Sequence, residues 1–269
     1  MQQPLQEIYN HQNDEQTPAP IDVSIIVPCF RSAEWLPQLV TRIEDSLIGK
    51  HDYEILLIND ASPDSTWNVI CELSRTRQHV AGPNLLFNAG QFCATLCGFA
   101  NARGKLVVTM DDDLQNPPEE IPRLIHALTS TPSADCVIGA YRSKSHSRMR
   151  NLGSRMIGFC NQHFYGKPPN LRLTSFRVMH RRIAKAICAH STNKPIIGPL
   201  LLQCTSRIIN IEVEHSPRFS GRSGYQLSRL IRMTFDNLIS ATTLPLKLIS
   251  LLGLLSSASS TALGAFYLY

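Results

Sequence analysis

The residues best suited to chemistry are three consecutive carboxylates, Asp111, Asp112 and Asp113, followed by Gln115 and Pro117-Pro118. Three adjacent acids repel one another, and a divalent cation resolves that repulsion. Oxygen ligands of this kind suit Mg²⁺ or Mn²⁺. The run before them, Leu106 to Met110, is apolar and β-branched, which predicts a buried strand that ends in the acids. In open α/β sheets that carboxyl edge is where ligands bind. Alternation along a strand puts Asp111 and Asp113 on one side and Asp112 on the other, so the expected metal pair is 111/113. The bland alternative is a solvated acidic turn after an edge strand; the surrounding pattern weighs against it.

That pattern is a regular alternation. Val23 to Pro28 reads as a buried strand and Ala33 to Lys50 as a helix, with Leu36, Leu39, Val40, Ile43 and Leu47 on one stripe. Tyr53 to Ile58 is a second strand, ending in Asn59-Asp60. A helix from about Ser65, a short strand at Asn84 to Phe87 and a helix after Asn88-Ala-Gly-Gln91 follow. Beyond the acidic strand come a helix from Pro118 to Leu128 and a strand from Cys136 to Tyr141. The order predicts an α/β domain, a mostly parallel sheet with helices on both faces. Further on, a basic amphipathic helix (148–164), a strand (175–179), helices (181–189 and 195–203), a strand (208–213), a loop (217–225) and a surface helix (226–243) are expected. Neither Gly-x-Gly-x-x-Gly nor a Walker phosphate loop is present, so the sheet carries no dinucleotide or P-loop fingerprint.

The chain has 269 residues, and 43% are hydrophobic, enough for one large domain with an appendage. The net charge of +5 is concentrated between Arg142 and Arg182, which points to an anionic ligand, phosphate first. No zinc-finger spacing or aromatic–basic ribonucleoprotein signature is present, which sets nucleic acid aside. None of the eight cysteines forms Cys-x-x-Cys; they read as free thiols of a reducing compartment. The nine histidines lie at no metal-ligand spacing. The polar residues 1–20 read as a flexible tail with no signal peptide. Leu248 to Tyr269 carries no charge and is long enough to cross a bilayer. Arg229, Arg232 and Lys247 before it place the preceding domain in the cytoplasm. The expected division is therefore 1–20 tail, 21–224 catalytic domain, 225–247 amphipathic juxtamembrane helix and 248–269 transmembrane helix, either ending in the membrane or truncated there.

Taken together, Val27-Pro28-x-Phe30, Asn59-Asp60-x-Ser62-x-Asp64, Asn88-x-Gly90-Gln91, Ala102-x-Gly104 and Asp111-x-Asp113-Leu-Gln-x-Pro-Pro-Glu119 resemble the family-2 glycosyltransferases of GT-A fold. The acidic motif resembles more narrowly the polyprenyl-phosphate glycosyltransferases. That group includes dolichol-phosphate mannose synthase, the bactoprenol glucosyltransferases and the undecaprenyl-phosphate formamido-arabinose transferase. The resemblance spans about residues 22–250.

It implies an inverting transfer from a nucleotide sugar, preferably a UDP-sugar, to undecaprenyl phosphate at a bacterial inner membrane, for envelope glycan or lipid A modification. Asp111, Asp113 and Gln115 would hold Mg²⁺ or Mn²⁺. Pro28, Phe30, Glu34, Asp60, Gln91, Asp111 and Asp112 would meet the nucleotide sugar, and Arg142, Arg150, Ser154, Arg218 and Ser223 the acceptor phosphate. Asp111, Asp113, Arg142 and Arg218 would carry catalysis. A homo-oligomer is left open. The chain departs from the family at Arg31-Ser32, where Asn-Glu is usual, with Glu34 two places on, and at Ser223-Gly224, where Ser-Lys is usual. It also lacks the family's usual second membrane helix. A processive synthase would need Gln-x-x-Arg-Trp after the acids, but both tryptophans, Trp35 and Trp67, precede them. A non-catalytic, membrane-tethered donor-binding scaffold is the remaining alternative.

Overall fold

Apolar, β-branched runs become the strands. Val23–Cys29 (β1) is buried along its whole length inside the sheet. Leu36–Leu47 (α1), Tyr53–Asn59 (β2), Thr66–Thr76 (α2), Val80–Ala81 (β3), Gln91–Asn101 (α3), Leu106–Thr109 (β4), Ile121–Thr129 (α4) and Cys136–Tyr141 (β5) follow. Then come Arg177–His180 (β6), Arg181–Cys188 (α5), Ile197–Cys204 (α6), Ile208–Val213 (β7) and Leu244–Leu268 (α7). The structure, a computed structural model, describes residues 21–141, 162, 166–192, 195–214 and 244–268. The expected tail, most of the basic helix at 148–164, the loop at 217–225 and the surface helix at 226–243 lie outside the described residues.

The sheet order is β3-β2-β1-β4-β6-β5-β7. β1 lies parallel to β2 and to β4, and β5 parallel to β7. β6 runs antiparallel between β4 and β5 and joins the two halves. Successive strand residues face opposite sides, so two cores form. Val23, Ile25, Val27, Ile55, Leu57, Val108, Val137 and Val178 pack under α1, α2 and α4. Ile26, Leu56, Ile58, Val107, Ile138 and Met179 pack under α3, α5 and α6. Each fully buried aliphatic side chain contributes about 1.5–3 kcal/mol. Helices on both faces match the sequence expectation.

Three expectations are corrected. The strand foreseen at Asn84 to Phe87 is displaced to Val80–Ala81, which pairs with Ile55 and Leu56. Pro83 has no N–H for a ladder, and beyond it only Asn84 bridges back to Asn59. Leu86 and Phe87 are left 94% and 71% exposed. The acidic strand stops at Thr109, two residues before the first carboxylate, and Leu114 takes a positive φ of 61°. The carboxylates are therefore sorted by bends and not by strand alternation. The first helix starts at Leu36 rather than Ala33, with a proline in its first turn.

Two buried carboxylates tie strand ends together. Glu54, 3% exposed, accepts from Ser24 Oγ at 2.6 Å and from the Arg103 backbone and Nε at 2.7 and 2.8 Å. Gly104 N donates to the same Ser24 Oγ, and a Cβ on Gly104 would stand 2.5 Å from Ser24 N. This is the physical requirement behind the glycine in Ala102-x-Gly104. Asp135, also 3% exposed, accepts from Arg182 Nη2 (2.5 Å), Thr205 Oγ1 (2.7 Å), Arg207 Nη2 (2.8 Å) and Arg207 Nε (2.9 Å). Its backbone closes the same edge, with Asp135 N donating to Arg207 O at 2.8 Å.

The C-terminal helix α7 contains the stretch Ile249–Tyr267, with a mean hydropathy of 1.5 and none of its surface buried by the rest of the protein. By length and composition it is able to cross a membrane.

Candidate active site

The carboxyl ends of β1, β2 and β4 meet at the acidic motif, and each loop there is fastened by side chains from another. Asp60, at the end of β2, is 3% exposed. Its Oδ1 accepts from Ala89 N at 2.7 Å and its Oδ2 from Gly90 N at 2.9 Å. Burial raises its pKa, against those two backbone donors. Asn88 Nδ2 donates to the Asp60 carbonyl at 3.1 Å. Gly90, at φ 87°, makes the left-handed turn that presents its N–H to Asp60 and starts α3. Asp60 thus fixes the entry of α3, a positioning task that its place in the sequence pattern did not reveal.

Gln91, the first residue of α3, donates from Nε2 to Asp111 Oδ1 at 2.5 Å. The other oxygen, Oδ2, accepts from Ser175 Oγ at 2.5 Å. Thr109 Oγ1 donates to Ser175 O at 2.5 Å, which fixes Ser175 in turn. Asp111 is therefore held from two sides, by a helix start and by the residue leading into β6. Sequence reasoning missed Ser175, because a contact across 64 residues leaves no local signal.

Asp112 turns the other way. Its Oδ2 accepts from Phe30 N at 3.0 Å, and burial pushes its pKa up to about 7, with Asp111 and Asp113 adding to the rise. Asp113 Oδ1 accepts from Gln115 N at 3.1 Å. The three carboxylates thus take different partners, Asp111 on α3 and Ser175, Asp112 on the end of β1 and Asp113 within its own bend. Ser62 Oγ accepts from Arg31 N at 3.2 Å, and Thr66 Oγ1 accepts from Ser32 N at 2.9 Å while donating to Asp64 at 2.6 Å. Phe30 is 42% exposed under the Arg31 guanidinium, 5.5 Å from its ring centre. Glu34 is exposed, and Pro28 is buried within β1.

Near the motif, Tyr141 donates its hydroxyl to Asn116, and burial together with Asp111 and Asp113 raises the tyrosine pKa far above its ordinary value. Arg142, Arg150, Ser154, Arg218 and Ser223 lie outside the described residues. Among the described residues no group of three or more His, Cys, Asp or Glu side chains converges. Two carboxylates on one loop suit a cation that also takes oxygens from a substrate, as Mg²⁺ does with phosphates. Asp111 and Asp113 fit that requirement.

An α/β sheet with helices on both faces, an acidic motif after its fourth strand and one antiparallel strand beyond it defines a sugar-nucleotide transferase of the GT-A class. Residues 24–188 match the profile of glycosyl transferase family 2, and the chain belongs to that family. Its fold is shared by glucosyl-3-phosphoglycerate synthase from Mycobacterium tuberculosis, solved with Mn²⁺, UDP and glucosyl-3-phosphoglycerate. That match has 15% identity and a TM-score of 0.63, over 83% of this chain and 80% of that one. Mannosyl-3-phosphoglycerate synthase from Rubrobacter xylanophilus matches at 16% identity with a TM-score of 0.58, over 82% of this chain and 72% of that one.

Proposed function

We propose that the chain transfers a sugar from a UDP-sugar to undecaprenyl phosphate, with inversion at the anomeric carbon. The catalytic domain would face the cytoplasm of a bacterium, at its inner membrane, and the product would serve envelope glycan or lipid A modification. The observation that carries this reading is the exposed apolar helix Ile249–Tyr267 in the same chain as a family-2 domain. A membrane anchor brings the domain to a substrate that lives in the membrane. The stretch from Cys136 to Ile211, which contains no Asp or Glu, supplies a cationic counterpart for a lipid-borne phosphate.

Asp111 and Asp113, with Gln115, hold Mg²⁺ or Mn²⁺, which when bound neutralises the leaving diphosphate. Gln91 and Ser175 keep Asp111 aimed. Phe30, Glu34, Asp60 and Asp112 shape the donor side, and Arg142, Arg150, Ser154, Arg218 and Ser223 take the acceptor phosphate. A phosphate monoester has a second pKa of about 6 and is ionised at neutral pH, so the acceptor needs no general base. Catalysis reduces to bringing two anions together, which guanidinium forks do well.

Incubating the full chain in membranes with radiolabelled UDP-sugars and undecaprenyl phosphate tests this. Label moving into the butanol phase is expected. Label appearing only in a water-soluble product such as a glycosylated phosphoglycerate would overturn the lipid acceptor. Ser175→Ala is expected to weaken Mn²⁺-dependent UDP binding by about tenfold, as losing the partner of a metal-ligating carboxylate does. Calorimetry with UDP and Mn²⁺ checks it, and unchanged affinity would dissolve the link between Ser175 and the metal site.

A further inference from the structure

Arg177 is the one arginine among the described residues that is buried within the sheet, at 6% exposure. It lies on β6 opposite Thr109 of β4 and Ile138 of β5. Its Nε and Nη1 are buried and have no hydrogen-bond partner. Enclosing unpartnered guanidinium N–H groups is costly, and such a charge is ordinarily paired. Nearby sequence offers no carboxylate, because none occurs between Asp135 and Glu212.

Among the described residues, the fields of Cys136 and Asp111 reach Arg177. Burial pushes the Cys136 thiol up to about 12, so it is neutral at physiological pH and supplies no counter-charge. Both Asp111 oxygens already accept from Gln91 and Ser175. Arg177 stands two residues after that Ser175, on the strand that carries it to the acidic end. A guanidinium with two unpartnered N–H groups, two residues along the chain from the partner of Asp111, has the chemistry of an oxyanion receptor.

We propose that Arg177 binds a phosphate group at this site, donating to it from an N–H that has no partner in the free protein. The identification of that phosphate rests on the glycosyltransfer reading: it belongs either to the donor diphosphate or to the acceptor.

The full chain in detergent micelles provides the test, with melting followed by the fluorescence of Trp35 and Trp67. In EDTA, inorganic phosphate probes an acceptor-type phosphate; UDP with Mn²⁺ probes the donor diphosphate. The wild type is expected to gain about 5 °C at a ligand concentration about a hundredfold above Kd. Arg177→Met, which removes an unpaired buried charge, is expected to melt about 2–4 °C higher without ligand and to lose most of the gain in at least one arm. Loss in the phosphate arm assigns the acceptor, and loss in the UDP arm assigns the donor. Arg177→Lys keeps the charge without the guanidinium's directed N–H groups and is expected to bind about tenfold more weakly by calorimetry, a reading that stands even if the methionine variant does not fold. An Arg177→Met protein that gains as much as wild type in both arms overturns the proposal, as does a wild type that gains in neither. Binding is read without turnover. A chain that moves no sugar to lipid yet loses phosphate binding with Arg177→Met therefore keeps this proposal and sinks the lipid-acceptor reading.

Discussion

Asp113→Ala is expected to lower sugar transfer about a thousandfold or more while the protein melts within about 2 °C of wild type. The activity loss follows from the metal. Charge neutralisation of a leaving diphosphate contributes several kcal/mol to the transition state, and each 1.4 kcal/mol is a factor of about ten in rate. On the proposed metal site, losing Asp113 would leave Asp111 alone to hold the cation. The stability follows from the geometry. Asp113 accepts from the Gln115 backbone at its own bend and lies beside two other acids, so its loss also relieves repulsion. Asp112→Ala is the contrasting variant, because Asp112 fastens the end of β1 through Phe30 N. Transfer rates at saturating Mn²⁺, paired with melting curves, check both. Undiminished turnover by Asp113→Ala would remove Asp113 from the metal site.

The largest stability loss is expected at the opposite edge of the sheet. Asp135→Ala removes a buried acceptor that Arg182, Thr205 and Arg207 share. Breaking a buried charged pair costs about 3–5 kcal/mol. Both arginines are more than half exposed, 64% and 53%, and can turn to water, which places the cost near about 3 kcal/mol. For a domain of this size that is a melting shift of about 6–12 °C. The pH dependence has a definite sign. Burial alone would raise the Asp135 pKa, but the Arg207, Thr205 and Arg182 donors override it and hold the carboxyl well below its ordinary range. The unfolded value is about 3.9. The stabilisation is therefore complete above the unfolded value and is lost as pH falls through the folded one. Wild type and Asp135→Ala should converge in stability under strong acid and diverge fully by about pH 5. A constant difference across that range would show that packing, and not charge, carries the effect.

The sheet was legible where a strand is one unbroken apolar run. β1, β2, β5 and β7 lie within a residue of their sequence positions, because hydrophobic strings bounded by polar turns leave little choice. Asn84 to Phe87 misled because its apolar residues have the composition of a strand, while Pro83 and the sheet edge deny them a ladder. The antiparallel entry of β6 carried no signal at all: strand direction is a property of connection and packing, and Arg177–His180 is too short to declare either. At the site, the run of three carboxylates after a strand was readable from neighbouring residues. The work of Asp60 and Gln91 in fastening α3 and Asp111 was not, because a motif gives residue type and order without saying which atoms face inward. Ser175 belongs to no motif, and its role exists only once β6 is paired with β4.

That pairing also sets the order in which the protein can assemble. β5 leaves the ribosome before β6 but touches no strand of the first half; its neighbours are β6 and β7. The half-sheet β3-β2-β1-β4 can close as soon as α4 is made, and it then presents Leu106–Thr109 as a bare edge. The roughly 50 residues separating the end of α4 from the end of β6 take about 2.5–10 s to synthesise. During that interval the edge is open to the wrong strand, whether from this chain or a neighbouring nascent one. The yield of native protein should therefore depend on translation speed between Thr129 and His180, and slow codons there should lower it without changing the stability of the molecules that succeed.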